Sequence, residues 1–167
     1  MWLLFELEVI FTLLTQPVVL GKEPVTLPLV SRENVTLHKR LFEAARSPTQ
    51  NAVLVLKGVE AQARPEASWE VYVEPADAKP DARDTYLVGV ISLFDRGIKS
   101  ESTQGREPAE FLFALDNAIA AAGKGDLRLR FVPTSAVVVD GRPQTVVVRS
   151  NVTIGAISLG LETARQP

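Results

Sequence analysis

Glu66, Glu70 and Glu74 recur at a spacing of four and are the most regular set of reactive side chains in the chain. Two carboxylates facing each other across a cleft would supply the acid and base of a glycosidase. Glu70 and Glu74 instead fall on one outward face of the strand predicted over Trp69–Glu74, where they read as solubilising charge. Trp69, Tyr72 and Tyr86 would be the sugar-stacking partners of such a site. Trp69 heads its strand and is expected to plug one end of a sandwich, the tyrosines keeping their rims in water.

His38 is the only histidine, and there is no cysteine. Disulfides, thiol nucleophiles and histidine-rich metal centres are therefore excluded together. A Ser–His triad would have to use His38, which stands beside Lys39 and Arg40 in a polar stretch and is expected on the surface. Ser92 and Ser158 lie in mid-strand with no base in reach, so their hydroxyls are expected to bond neighbouring carbonyls. No P-loop, GxGxxG or GxSxG occurs. A formal charge of -2 with scattered basic residues gives no electrostatic case for nucleic acid. Arg128 and Arg130 alternate on what reads as the solvated face of a strand. The sequons Asn34-Val35-Thr36 and Asn151-Val152-Thr153 matter only in a glycosylating pathway.

The elements that must position these residues are strands. Val88-Gly89-Val90-Ile91-Ser92-Leu93-Phe94 and Ile154-Gly155-Ala156-Ile157-Ser158-Leu159 echo each other, apolar on both faces. That pattern predicts strands packed between two layers. A glycine at the same place in each predicts that another backbone or a large side chain crosses closely there. Pro24–Val30 reads as an edge strand, Asn34–Leu37 as a short strand, and His38–Arg46 as a turn or two of helix. Asn51–Val59, Thr85–Phe94, Ala109–Leu115 and Asp126–Val132 read as strands, the last with Leu127, Leu129 and Phe131 inward. Asp116 is expected to cap a short helix through Ala122, and Asp140-Gly141 to turn a hairpin between Ala136–Val139 and Thr145–Val148. Eight or nine strands with one or two short helices predict an all-β fold, a β-sandwich or a Greek-key barrel.

Residues 1–20 form an apolar segment broken by Glu6 and Glu8, with no basic start and too little apolar length for a membrane span. Phe5–Val9 alternates as a strand would, while Leu3, Leu7, Ile10 and Leu14 would also share a helical face. A docking segment, a degenerate export signal and a stub are the three readings of this stretch. Residues 21–162 make the sandwich and 163–167 a polar tail. Asp95–Pro108 is a fourteen-residue polar loop, a length at which loops tend to be functional.

The order Gly21–Leu27, Val53–Val59, Trp69–Val73, Tyr86–Phe94, Leu127–Pro133 and Val152–Leu159 is similar to the small C-terminal domain that follows the copper domain in bacterial tyrosinases, the polyphenol-oxidase-like type-3 copper enzymes. The resemblance covers about residues 20–160. Six histidines hold the two coppers in such enzymes, and this chain has one, so no catalytic residue and no cofactor carries over. The resemblance implies a non-catalytic accessory domain that shields or assists a type-3 copper oxidase domain by protein–protein contact. The chain departs from the family pattern at Asp95, where glycine is usual, and in a following loop without the histidine often found there. Loop length points to Phe94, Asp95, Arg96, Lys99 and Arg106 as the partner-facing residues. The other reading is a free-standing adhesion or carbohydrate-binding module.

Overall fold

The computed structural model describes residues 5–13, 16–79, 83–93, 97–99, 107–134, 138–139, 142–143 and 146–164. In chain order the elements are β1 (Phe5–Thr12), β2 (Val18–Leu20), β3 (Val25–Val30), α1 (Val35–Ala45), β4 (Gln50–Ala61), β5 (Ser68–Pro75), α2 (Arg83–Tyr86) and β6 (Leu87–Ile91). There follow β7 (Ala109–Ala114), α3 (Asp116–Ala122), β8 (Leu127–Thr134), β9 (Val138–Val139), β10 (Arg142–Pro143), β11 (Val152–Ile154) and β12 (Ala156–Ala164).

The strands form two antiparallel sheets stacked as a sandwich, with β9 and β10 as a separate small hairpin. In the larger sheet β4 is central. β12 runs along one side of it, from Lys57↔Ala156 to Gln50↔Thr163, and β11 continues the same line at Ala61↔Val152. β1 and β2 flank β12 and β11 in turn, and β7 lines the other side of β4 through Leu54↔Phe113 and Leu56↔Phe111. The smaller sheet has the order β3-β8-β5-β6. Between the sheets Leu54, Leu56, Leu159, Val71, Leu129 and Phe131 are fully buried. The apolar alternation read in β4, β5, β8 and β12 is thus the inner surface of a sandwich.

Both echo glycines do what their position predicts, by different means. A Cβ on Gly89 would overlap the ring of Phe113, which reaches over from β7. Gly155 crosses Gly58 backbone to backbone, its N–H donating to the Lys57 and Gly58 carbonyls, and Gly58 holds φ at +63°. The strands around them are not equivalent. β12 lies between two strands, whereas β6 is a sheet edge with Leu87 and Val90 exposed, and Thr85–Tyr86 belong to α2 rather than to the strand. Burial on both faces, expected of the pair, therefore fails for β6: Val90, opposite Glu70, points away from the core between the sheets and is exposed. The crossing at Gly155 also splits the second echo into β11 and β12.

Asn34–Leu37 is not a strand. The Asn34 side-chain oxygen accepts from the Leu37 N–H and starts α1, with Leu37, His38, Leu41 and Ala44 on the buried face. This face and α3 (Ala118, Ile119) pack together against β4 and close one end of the sandwich. His38, expected on the surface, is 7 % exposed because it falls on that face of α1. Replacing Asn34 with alanine removes the cap. The expected loss is about 1 kcal/mol of folding stability, read from the urea midpoint.

Asp116 does not cap α3 either. It is the first helical residue, and its carboxylate accepts the Ala52 N–H instead, pinning the helix to β4. Of the predicted hairpin, Val138–Val139 pairs with Arg142–Pro143, while residues 146–148 carry no strand and Asp140-Gly141 lies outside the described residues. At the start of the chain the alternating reading holds, since Phe5–Thr12 is a strand along β12. Arg40 of α1 reaches Glu8 on this strand at 2.9 Å.

Candidate functional site: the β6–β7 edge

Of the predicted partner-facing residues, Phe94, Asp95, Arg96 and Arg106 lie outside the described residues. Lys99 is described, and the three residues ending with it are held firmly. The Ala61 N–H donates to the Gly97 carbonyl (2.6 Å), the Lys99 N–H donates to the Ala61 carbonyl (2.7 Å), and Ile98 forms a parallel bridge with Ala61. Gly97 has φ of +71°, and a Cβ there would run into the Val59 carbonyl. Only glycine lets the chain pass β4 so closely. The Lys99 ammonium pairs with Glu60, at half exposure. Part of the loop is thus an added rung on β4, not a free polar excursion.

This rung lies at the end of β4 where the connection between β6 and β7 departs. Among the described residues β6 pairs only with β5 and β7 only with β4, so two sheet edges lie side by side, held by Phe113 over Gly89. Phe111 and Phe113 stack with their centroids 5.9 Å apart. Leu87 (39 %), Val90 (43 %) and Leu112 (45 %) are exposed along these two strands. Unpaired edges bordered by large apolar side chains are surfaces that proteins normally cover or use.

Glu66, Glu70 and Glu74 do not converge on a cleft. Glu66 pairs with Arg149 at 3.0 Å, and Glu70 accepts the Tyr72 hydroxyl at 2.6 Å. Glu74 is not solubilising charge, being 1 % exposed. Its carboxylate takes Arg130 in a two-pronged contact (Nε 2.7 Å, Nη2 3.0 Å) and Arg128 through Nε at 2.8 Å. Arg128 goes on to the carbonyls of Ala76 and Ala78, and the Arg130 guanidinium lies 4.6 Å over the Tyr72 ring. Burial alone would raise the Glu74 carboxyl; the bonds from Arg130 and Arg128 outweigh it and hold the carboxyl below its usual range. The face of β5 and β8 expected to be solvated is therefore a closed ionic network. Register explains the difference: Glu74 stands opposite Arg128, and Tyr72 opposite Arg130, on neighbouring strands.

Ser92 meets the Ser68 hydroxyl at 3.2 Å rather than a carbonyl. Trp69 is buried as expected, its indole N–H donating to the Gly21 carbonyl, but Tyr72 is only 2 % exposed and keeps no rim in water. Among the described residues no three His, Cys, Asp or Glu side chains come together as metal ligands, and no helix is long and apolar enough to cross a membrane. Two features stand outside the sequence expectations, the Glu74 network and the helical stripe Val35, His38, Phe42 and Arg46. The second has a visible signal, a spacing of three to four residues through a polar stretch.

No protein-family model matches the chain, and no curated protein matches it. Among solved structures it is similar to a recombinantly expressed latent aurone synthase (polyphenol oxidase), with a TM-score of 0.47 and 13 % identity over 94 % of this chain. It is also similar to a latent aurone synthase (polyphenol oxidase) from a natural source, with a TM-score of 0.45 and 14 % identity over 92 % of this chain. In both cases the chain spans 26 % of the length of the solved chain.

Proposed function

We propose that this chain is a non-catalytic β-sandwich that caps a type-3 copper oxidase domain through protein–protein contact, with the β6–β7 edge as the contact surface. The observation that carries the reading is the pair of edges, unpaired among the described residues, that bear Leu87, Val90 and Leu112 beside the loop expected to face a partner. It is supported by the order of strand motifs over residues 20–160, which is similar to that of tyrosinase C-terminal domains. The cap acts by occlusion. Apolar area removed from water supplies affinity, and the loop between β6 and β7 obstructs the approach of substrate. A carbohydrate-binding role is not favoured, because Trp69 and Tyr72 bury the faces that would stack on sugar.

The test is to mix the purified chain with the six-histidine oxidase domain of the same source, stripped of any cap of its own. Diphenol turnover is expected to fall saturably to a small residual rate, while the chain alone oxidises no phenol and holds no stoichiometric copper. Val90→Glu with Leu112→Glu, both at exposed positions, should restore turnover without changing the chain's unfolding midpoint. Full turnover at a large excess of the chain, or phenol oxidation by the chain itself, would overturn the proposal.

A further inference from the structure

At the other end of the sandwich, α1 buries a titratable group that capping does not use. His38 lies on the inner face of the helix with Leu37, Leu41 and Ala44. Both of its ring nitrogens are closed to water and, alone among the buried side-chain polar atoms of the described residues, neither has a hydrogen-bond partner. The ring lies nearly parallel to that of Phe42, 20° apart with centroids at 6.1 Å, an apolar contact that solvates neither nitrogen. A neutral imidazole already leaves one donor and one acceptor unpaired in this position. An imidazolium would leave two donors and a full charge without water, which costs far more.

The surrounding charges do not offset that cost. Arg32 precedes α1, Lys39, Glu43 and Arg46 stand on the helix beside His38, and Lys124 follows α3. Glu43 is shared with Lys39 at 3.8 Å. α3 contributes Asp116, whose carboxylate accepts the Ala52 N–H, and β4 carries no charged residue before Lys57. From β1 comes Glu8, taken by Arg40. Asp126, ahead of β8, does favour the charged ring, but its carboxylate already accepts the Arg32 N–H at 2.6 Å. Burial pushes the imidazole below its ordinary range, against the opposing pull of Asp126 and of the Ser31 carbonyl, which approaches the ring without hydrogen-bond alignment.

We propose that His38 is a proton-operated latch: α1 stays docked on α3 and β4 while the ring is neutral, and protonation of the ring releases the helix from the end of the sandwich. The geometry couples the two steps, because water reaches the nitrogens only when α1 moves. The helix is suited to opening by itself. It has eleven residues, is held by packing on α3 and β4, and at that length is marginal alone. Its tie to β1, the Arg40–Glu8 pair, is exposed and holds weakly. In the open helix the ring takes up a proton at its ordinary value of 6.5, and in the closed one only at lower pH. Docking is therefore at full strength above that value and weakens as pH falls from there toward the closed-state value.

The experiment follows the full chain, without an affinity tag, by NMR between pH 7.5 and 5.5. His38 then gives the only imidazole signals, and their titration midpoint should lie below 6.5. Amide hydrogen exchange, corrected for the pH dependence of the chemical step, should show Leu41 and Ala44 less protected than Leu54 and Leu56 of β4 at every pH. That difference means that the helix opens ahead of the whole fold. Protection of the two α1 amides should fall severalfold from pH 7.5 to 5.5, and at most about tenfold for a single proton taken up near 6.5. In His38→Leu and in His38→Gln, which have no proton to take up there, it should stay flat. An imidazole midpoint at or above 6.5 would overturn the proposal, as would α1 amides protected as well as those of β4. So would a flat profile in the wild type, or the same fall with pH in either folded variant.

Discussion

Replacing Glu74 with glutamine is expected to destabilise the fold by about 3 kcal/mol, the low end of what removing one partner from a buried ion pair costs. The size follows from what is left behind. Glutamine keeps the shape of the side chain but strands two guanidinium groups on β8 that are only 29 % and 16 % exposed. Their residual contact with water is what keeps the figure from being larger. A triple change to apolar residues of similar volume at Glu74, Arg128 and Arg130 should recover most of the loss, because it removes the charges together rather than orphaning them. Urea midpoints of the wild type and the two variants measure this directly. If the glutamine variant matched the wild type, Glu74 would not be the pivot of the network.

The same residue sets an acid limb. The folded Glu74 carboxyl ionises below its ordinary value, so the unfolded chain takes up the proton first as pH falls. The stabilisation from the ionised carboxylate is complete above the unfolded value of about 4.3. It is lost as pH drops through the folded value below that. Arg130, held further up by the same contact, stays charged throughout this range. Stability of the wild type should therefore fall more steeply below pH 4 than that of the glutamine variant, whose curve lacks this component.

What the sequence made legible and what it hid follow from one distinction. Strands whose inner residues are apolar announced themselves, as Leu127, Leu129 and Phe131 did, and so did the two glycine crossings. Alternation assigns every polar residue to water, however, and it has no way to represent polar residues that satisfy each other across strands. Glu74 and Arg128 are 54 positions apart and meet only once β5 and β8 are in register. His38 was hidden for a related reason. Its neighbours Lys39 and Arg40 are polar, but a helix turns about 100° per residue, so adjacency along the chain says little about the face. Asn34 supplied a cap, so α1 begins at Val35, within the stretch predicted as a short strand, and runs on through the helix predicted from His38.

Replacing Trp69 with alanine should cost about 3 to 5 kcal/mol, the usual range for truncating a large buried aromatic. Trp69 is 1 % exposed at the head of β5, opposite Ile91 on β6 and Pro133 on β8, so its ring joins three strands of the smaller sheet. Its indole N–H donates at 3.0 Å to the Gly21 carbonyl, which ties the segment between β2 and β3 to the same point. Trp69→Phe separates the two contributions. It retains most of the apolar ring, removes the donor and leaves the Gly21 carbonyl without its partner, so a smaller loss of about 1 to 2 kcal/mol is expected. Equilibrium unfolding of both variants should rank alanine well below phenylalanine and phenylalanine below the wild type. Equal losses would mean that the hydrogen bond rather than the packed ring holds this corner, and losses under 1 kcal/mol for both would mean that the two sheets do not depend on Trp69 to stay together. A native domain has only about 5 to 15 kcal/mol to lose, so the alanine variant is expected to be partly unfolded at room temperature if the wild type lies at the lower end.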